Sequence, residues 1–195
     1  MRICIFNAKG GVGRSTTTLN LAGYFALDPK LRVLVADCDP QGSALAWAAL
    51  AEETPFTVGR SRSRGFDIEL MDMPPRIPDN GVLPEADLFL IPTLLDGVSF
   101  VVFLRTMELI KKQGLPHLII ANRFNPRRAE HRERLASKAM AGALVLRERS
   151  AFAAYYAEGK TVFDMIGRHI EGAKAEIRAV GEAIVQLSQQ ARVAA

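Results

Sequence analysis

The segment Lys9-Gly10-Gly11-Val12-Gly13-Arg14-Ser15-Thr16 constrains the chain more than any other. It follows the apolar run Ile3-Cys4-Ile5-Phe6 and precedes a helical pattern over residues 15–27, where Leu19, Leu21, Ala22, Phe25 and Ala26 form an apolar face. A buried strand, a glycine loop and a helix in that order leave backbone N–H groups free to turn inward, at the end of a helix whose dipole favours an anion. Ser15 and Thr16 are the expected helix caps. The pattern is close to G-x-x-x-x-G-K-[ST] but not identical: Ala8 stands at its first glycine and Arg14 at its lysine.

The rest of the chain repeats the alternation. Short apolar runs predict strands over 31–36, 68–71, 88–91, 115–121 and 143–146. Between them fall helical patterns over 43–51 (with Ser43 as cap), 98–113, 130–141, 151–157 and 170–192. Residues 52–65 read as a loop, including Arg60, Arg62 and Arg64. In the last helix Ile170, Ala173, Ile177, Val180, Ile184, Leu187 and Ala191 make one apolar stripe, expected to pack on the core. Alternating strands and helices predict an α/β fold with a mostly parallel twisted sheet and helices on both faces. A length of 195 residues suits one domain over 1–195. Two cysteines, Cys4 and Cys38, exclude a disulfide scaffold or a four-cysteine zinc site. His117, His131 and His169 show no metal-ligand spacing. No secretory signal and no membrane-length apolar stretch is found, so the expected location is cytoplasmic, with no membrane partner.

Ligands of open parallel sheets sit at the carboxyl ends of the strands. The polar residues that stop the strands here are Asn7, Asp37, Asp39, Asp72 and Asn122. Acidic groups at several strand ends, beside a glycine loop, are hard to explain as structural accidents.

These motifs carry a family resemblance. The loop resembles the deviant phosphate loop K-G-G-x-G-K-[ST]-T of the ParA/MinD class of P-loop ATPases. Asp37-Cys38-Asp39-Pro40-Gln41-Gly42 is similar to that family's D-x-D-P-Q-G. Asp67 with Asp72-Met73-Pro74-Pro75 is similar to D-x-x-x-x-D-x-P-P. Ala86-Asp87 through Pro92 resembles A-D-x-x-x-x-P, and Gly159-Lys160-Thr161-Val162-Phe163 resembles G-K-x-V-F. The matches run in order over about residues 1–165, and no helix-turn-helix precedes the first strand. The resemblance is to the small partition and positioning members, with the P-loop NTPase fold.

That resemblance implies ATP and Mg²⁺ as cofactors. Gly10, Gly11, Val12 and Gly13 would present amides to the phosphates, and Thr16 would touch a phosphate oxygen. Ser15, Asp37 and Asp72 would serve the metal. Lys9 would reach the partner subunit's phosphates across a nucleotide-bridged homodimer. Asp39 would orient the attacking water, and Asn122 would contact adenine. Arg14 would take the place of the phosphate-touching lysine. It keeps the charge, but its planar, bulkier fork is not a lysine, which implies slow hydrolysis. The alternative is a nucleotide-locked scaffold of the same fold.

Charge divides the chain. Residues 1–100 carry 9 basic and 12 acidic side chains, and residues 101–195 carry 16 and 9. A basic half suits a polyanion. Arg128, Arg132, Arg147, Arg149 and Lys160 are the expected cations for double-stranded DNA. Phe124 is the one Phe, Tyr or Trp among the arginines of 123–149, and so sparse an aromatic content favours backbone contact without base readout. The expected protein is thus an ATP-dependent, dimerising, nucleoid-associated partition ATPase. It would segregate DNA or position a cargo such as carboxysomes, and a ParB-like or cargo-adaptor protein would stimulate its hydrolysis.

Overall fold

A computed structural model describes every residue except Arg62, Tyr155 and Ala195, and all their side chains except those of Ala153 and residues 191–194. Seven strands are described: β1 Arg2–Ile5, β2 Val33–Asp37, β3 Thr57–Gly59, β4 Ile68–Asp72, β5 Leu88–Thr93, β6 His117–Phe124 and β7 Leu144–Arg147. They form one sheet in the order β3-β2-β4-β1-β5-β6-β7, and every pairing is parallel. Central strands covered on both faces must be apolar on both, which explains their continuous apolar runs. Ile3 and Ile5 point to one layer and Cys4 and Phe6 to the other.

The first layer is closed by α1 Arg14–Phe25, α2 Ser43–Leu50, α5 Ala151–Ala154 and α6 Arg168–Ala194. Ile170, Ala173, Ile177, Val180 and Ile184 of α6 are fully buried there, whereas Leu187 of the expected stripe is exposed and Ala191 lies outside the described side chains. Trp47 on α2 is also buried in this layer. Its ring stacks on Phe56 with centroids 5.2 Å apart, and its indole N–H donates to the Lys160 carbonyl at 3.2 Å. The second layer is closed by α3 Gly97–Lys112 and α4 Ala129–Leu135, with Phe103, Met107 and Ile110 of α3 in its centre.

Four local expectations change. Residues 57–59, expected as loop, form the edge strand β3; three residues, none of them buried, leave too little pattern to read. The helix expected over 130–141 stops at Leu135. The Ser137 hydroxyl turns back to the Arg134 carbonyl, and a 3-10 turn follows at Lys138–Met140. The helix expected over 151–157 becomes α5 and a 3-10 turn, Tyr156–Glu158, with Tyr155 between them outside the described residues. Neither Ser15 with Thr16 nor Ser43 caps a helix. Gly13 and Gly42, both left-handed, occupy the N-cap positions of α1 and α2, and neither helix has a side-chain cap at that position.

Candidate phosphate-binding site

The register of the sheet assembles the site. Asp37 and Asp72 are paired positions at the ends of β2 and β4, and Ile5 of β1 is level with Asp72. The glycine loop leaves β1 beside them and enters α1. Gly11 and Gly13 adopt φ of +75° and +89°. A Cβ on Gly13 would lie 2.2 Å from the Asn122 amide nitrogen, so both conformation and space require glycine. The Asn122 amide donates to the Val12 carbonyl at 2.7 Å and ties the loop to the end of β6. One N–H of its amide is thus used by the loop, and the residue also lines the cleft beside it. Asn7 accepts the Lys9 N–H at 2.9 Å and donates to the Pro92 carbonyl at 2.8 Å. Gly10 and Gly11 are exposed and Lys9 is half-buried.

Arg14 lies beneath this loop rather than over it. Only 8% exposed, its guanidinium donates to the carbonyls of Met73 (2.8 Å), Asn7 (3.0 Å) and Lys9 (2.6 Å). It also faces Asp39, with 3.7 Å between Nη2 and Oδ2. Burial lowers its pKa, and the charges of Asp72 and Asp39 push it back up. One side chain thus links the glycine loop to the two acidic loops that follow β2 and β4.

The carboxylates differ in what they hold. Asp37 accepts N–H groups from Asp39 (3.3 Å) and Leu45 (3.0 Å), which organises the turn into α2. Asp39 accepts the Gln41 N–H at 3.0 Å. Arg60, just after β3, donates to the Asp39 carbonyl at 3.3 Å and packs against Gly42. Asp72 is 1% exposed, yet neither carboxylate oxygen completes a hydrogen bond among the described residues. Its pKa is pushed up to about 7, chiefly by burial and also by the charges of Asp37 and Asp39, against the downward pull of the Ser15 hydroxyl and Arg14. A buried carboxylate with both oxygens free is a seat for a cation. No cluster of three or more acidic, histidine or cysteine groups accompanies it among the described residues. The donor set of Asp72 and Ser15 therefore fits Mg²⁺ that arrives with phosphates and water, not a resident ion in an all-protein cage.

A cleft of about 460 Å³ opens beside the loop, lined by Gly13, Thr16, Asn122, Arg123 and residues 147–150. Arg147 and Arg149 thus lie beside the phosphate loop. Arg149 is tied to Glu176 at 2.7 Å, and Arg147, which is exposed, shares a neighbouring cleft with Arg127. Arg128, at the N-cap of α4, and Arg132, in its last turn, are both exposed, and Arg132 donates to the Pro126 carbonyl at 2.6 Å. Lys160 pairs with Glu158 at 2.9 Å and lines neither arginine cleft. Sequence reasoning missed Arg60, Arg123 and Glu176. Arg123 has φ +50°, alone among the described non-glycine residues in the left-handed region, and no local signal marks it. Arg62 lies outside the described residues.

A family model for the CobQ/CobB/MinD/ParA nucleotide binding domain matches residues 3–162. The chain belongs to the ParA/MinD family. Among its relatives is the maintenance of carboxysome distribution protein A of Gloeobacter kilaueensis. The two are 30% identical over 207 residues, covering 92% of each chain. The ParA/MinD fold recurs in the MinC:MinD cell division protein complex of Aquifex aeolicus, with TM-score 0.72, 17% identity and coverage of 92% of this chain and 94% of that one. It recurs in an ATP complex of a Cyanothece McdA variant, with TM-score 0.71, 15% identity and coverage of 94% and 96%. Membership supports the capacity for ATP binding and hydrolysis typical of ParA/MinD ATPases, in the partition and positioning branch. No helix among the described residues is long and apolar enough to cross a membrane.

Proposed function

We propose that the chain is an ATP-dependent, dimerising, DNA-binding partition ATPase that segregates DNA or positions a protein cargo. The observation that carries this reading is the buried, unpartnered Asp72 carboxylate beside Ser15 and the open amides of the glycine loop. Ser15 and Asp72 would hold Mg²⁺, with Asp37 acting through the turn that it organises. Mg²⁺, when bound, offsets charge on the transferring phosphoryl group. Gly10, Gly11, Val12 and Gly13 would supply amides, Thr16 a hydroxyl, and half-buried Lys9 a charge for the partner subunit's phosphates. Asp39 would accept a hydrogen bond from the attacking water. Carboxysomes are one cargo class supported by the Gloeobacter relative. Exposed Arg128, Arg132 and Arg147 are the cations best suited to non-specific duplex DNA on the nucleoid, and a ParB-like or cargo-adaptor protein would stimulate turnover.

The Arg14 network favours a second reading, in which the protein binds ATP but hydrolyses it hardly at all. Four contacts hold this guanidinium away from the space above the loop. Size-exclusion chromatography with ATP and Mg²⁺, followed by phosphate release with and without duplex DNA, tests both. ATP-dependent dimerisation with DNA-stimulated release supports the first, and dimerisation without release supports the second. An unchanged monomer elution overturns both.

A further inference from the structure

We infer that Glu176 on α6 is a positioning residue for the nucleotide, because it clamps the wall of the cleft opposite the glycine loop. This rests on the nucleotide reading above and adds a residue that no motif contains.

The wall is residues 147–150, the turn that leaves β7. Its other side is Gly13 and Thr16, so the width of the cleft is the distance between this turn and the start of α1. Glu176 holds the turn at two points. One oxygen accepts the Arg147 backbone N–H at 2.9 Å. The other accepts Nε and Nη2 of Arg149 at 3.1 Å and 2.7 Å. Both are charge-assisted bonds, the stronger class, and the bond to Glu176 raises the pKa of Arg149.

The guanidinium also lies against Gly172, one turn earlier on α6. A Cβ there would approach its atoms to 2.6–2.7 Å. α6 in turn packs on α1, where Gly181 leaves room for the Tyr24 ring: a Cβ would lie 2.1 Å from it. One helix therefore touches the loop-bearing helix through its buried stripe and the facing wall through Glu176. It sets the spacing that a base and ribose must fit. The phosphates sit at the loop itself and do not need this wall.

The test compares two probes, ADP and tripolyphosphate, by titration calorimetry in Mg²⁺ buffer on the wild type, Glu176→Ala and Gly172→Ala. Glu176→Ala should weaken ADP binding about tenfold and tripolyphosphate binding less than about twofold, because the loop is untouched. Gly172→Ala favours the helix but displaces the guanidinium. It should therefore weaken ADP while leaving the melting temperature equal or higher, an opposition that simple destabilisation cannot produce. Equal ADP affinity in all three proteins, or an equal loss for both probes, overturns the clamp and leaves the nucleotide reading standing. A folded wild type that binds neither probe overturns both.

Discussion

The Arg14 guanidinium stands 3.7 Å from the Asp39 carboxylate, and each side chain is 8% exposed. With so little solvent between them the attraction is weakly screened. The carboxylate expected to orient water is therefore held by the residue that replaces the loop lysine. The consequence for turnover is direct. Arg14→Lys cannot reproduce the bonds to Met73, Asn7 and Lys9 at once, since an ammonium lacks the planar fork. Steady-state phosphate release should rise by about 10- to 100-fold, the scale on which a misplaced group costs rate. Arg14→Lys with unchanged release removes arginine as the brake.

Asp72 gives a prediction of opposite signs. Its charge is buried and its oxygens lack hydrogen bonds. Asp72→Asn removes the charge at nearly constant volume. In metal-free buffer above pH 8, where the carboxylate is ionised, the variant should gain about 1 kcal/mol or more, or about 2–4 °C in melting temperature. Its Mg²⁺-dependent ATP binding should fall sharply. Calorimetric melting and ATP titration read the two effects separately.

The basic surface is tested by charge reversal. Arg128 and Arg132 are exposed at the N-cap and in the last turn of α4. Arg128→Glu with Arg132→Glu should weaken duplex binding for all sequences alike and reduce the salt slope by about 2, one for each lost phosphate contact. A salt series of ATP-dependent binding that is unchanged assigns the DNA surface elsewhere, with Arg127 and Arg147 next.

His131 predicts a response to acid. It is buried, its Nδ1 accepts the Asn125 N–H at 3.1 Å, and its neutral form is favoured first by burial and then by Arg128. Arg134 acts in the same direction, while Glu130 and Glu148 oppose it. A folded pKa below the ordinary 6.5 means stability that is present above that value and lost as pH falls. Melting temperature should therefore drop between pH 7.5 and 5.5. His131→Gln should shrink that drop, which a pH series of melts will show.

The glycine loop, the acids at the strand ends and the parallel alternation were legible because each is local: spacing and residue type suffice. What was hidden depends on distance along the chain. Arg14 finds its acceptor at Met73, Asn122 reaches Val12, and Arg149 meets Glu176 only after α6 has docked. No window of sequence contains those pairs. β3 escaped for another reason: an edge strand of three residues, none of them buried, has almost no periodicity to show. Ser15 and Ser43 misled as caps because a left-handed glycine, Gly13 or Gly42, takes the N-cap position of each helix.

Trp47, the single tryptophan, sits one helix turn beyond the loop that carries Asp39, pressed flat on Phe56 and bonded to Lys160 of the G-K-x-V-F segment. Its emission is set by its contacts with Phe56 and with the Lys160 carbonyl. The protein therefore carries its own optical gauge. If that loop shifts when nucleotide enters, the shift is visible as fluorescence, in real time and without a label.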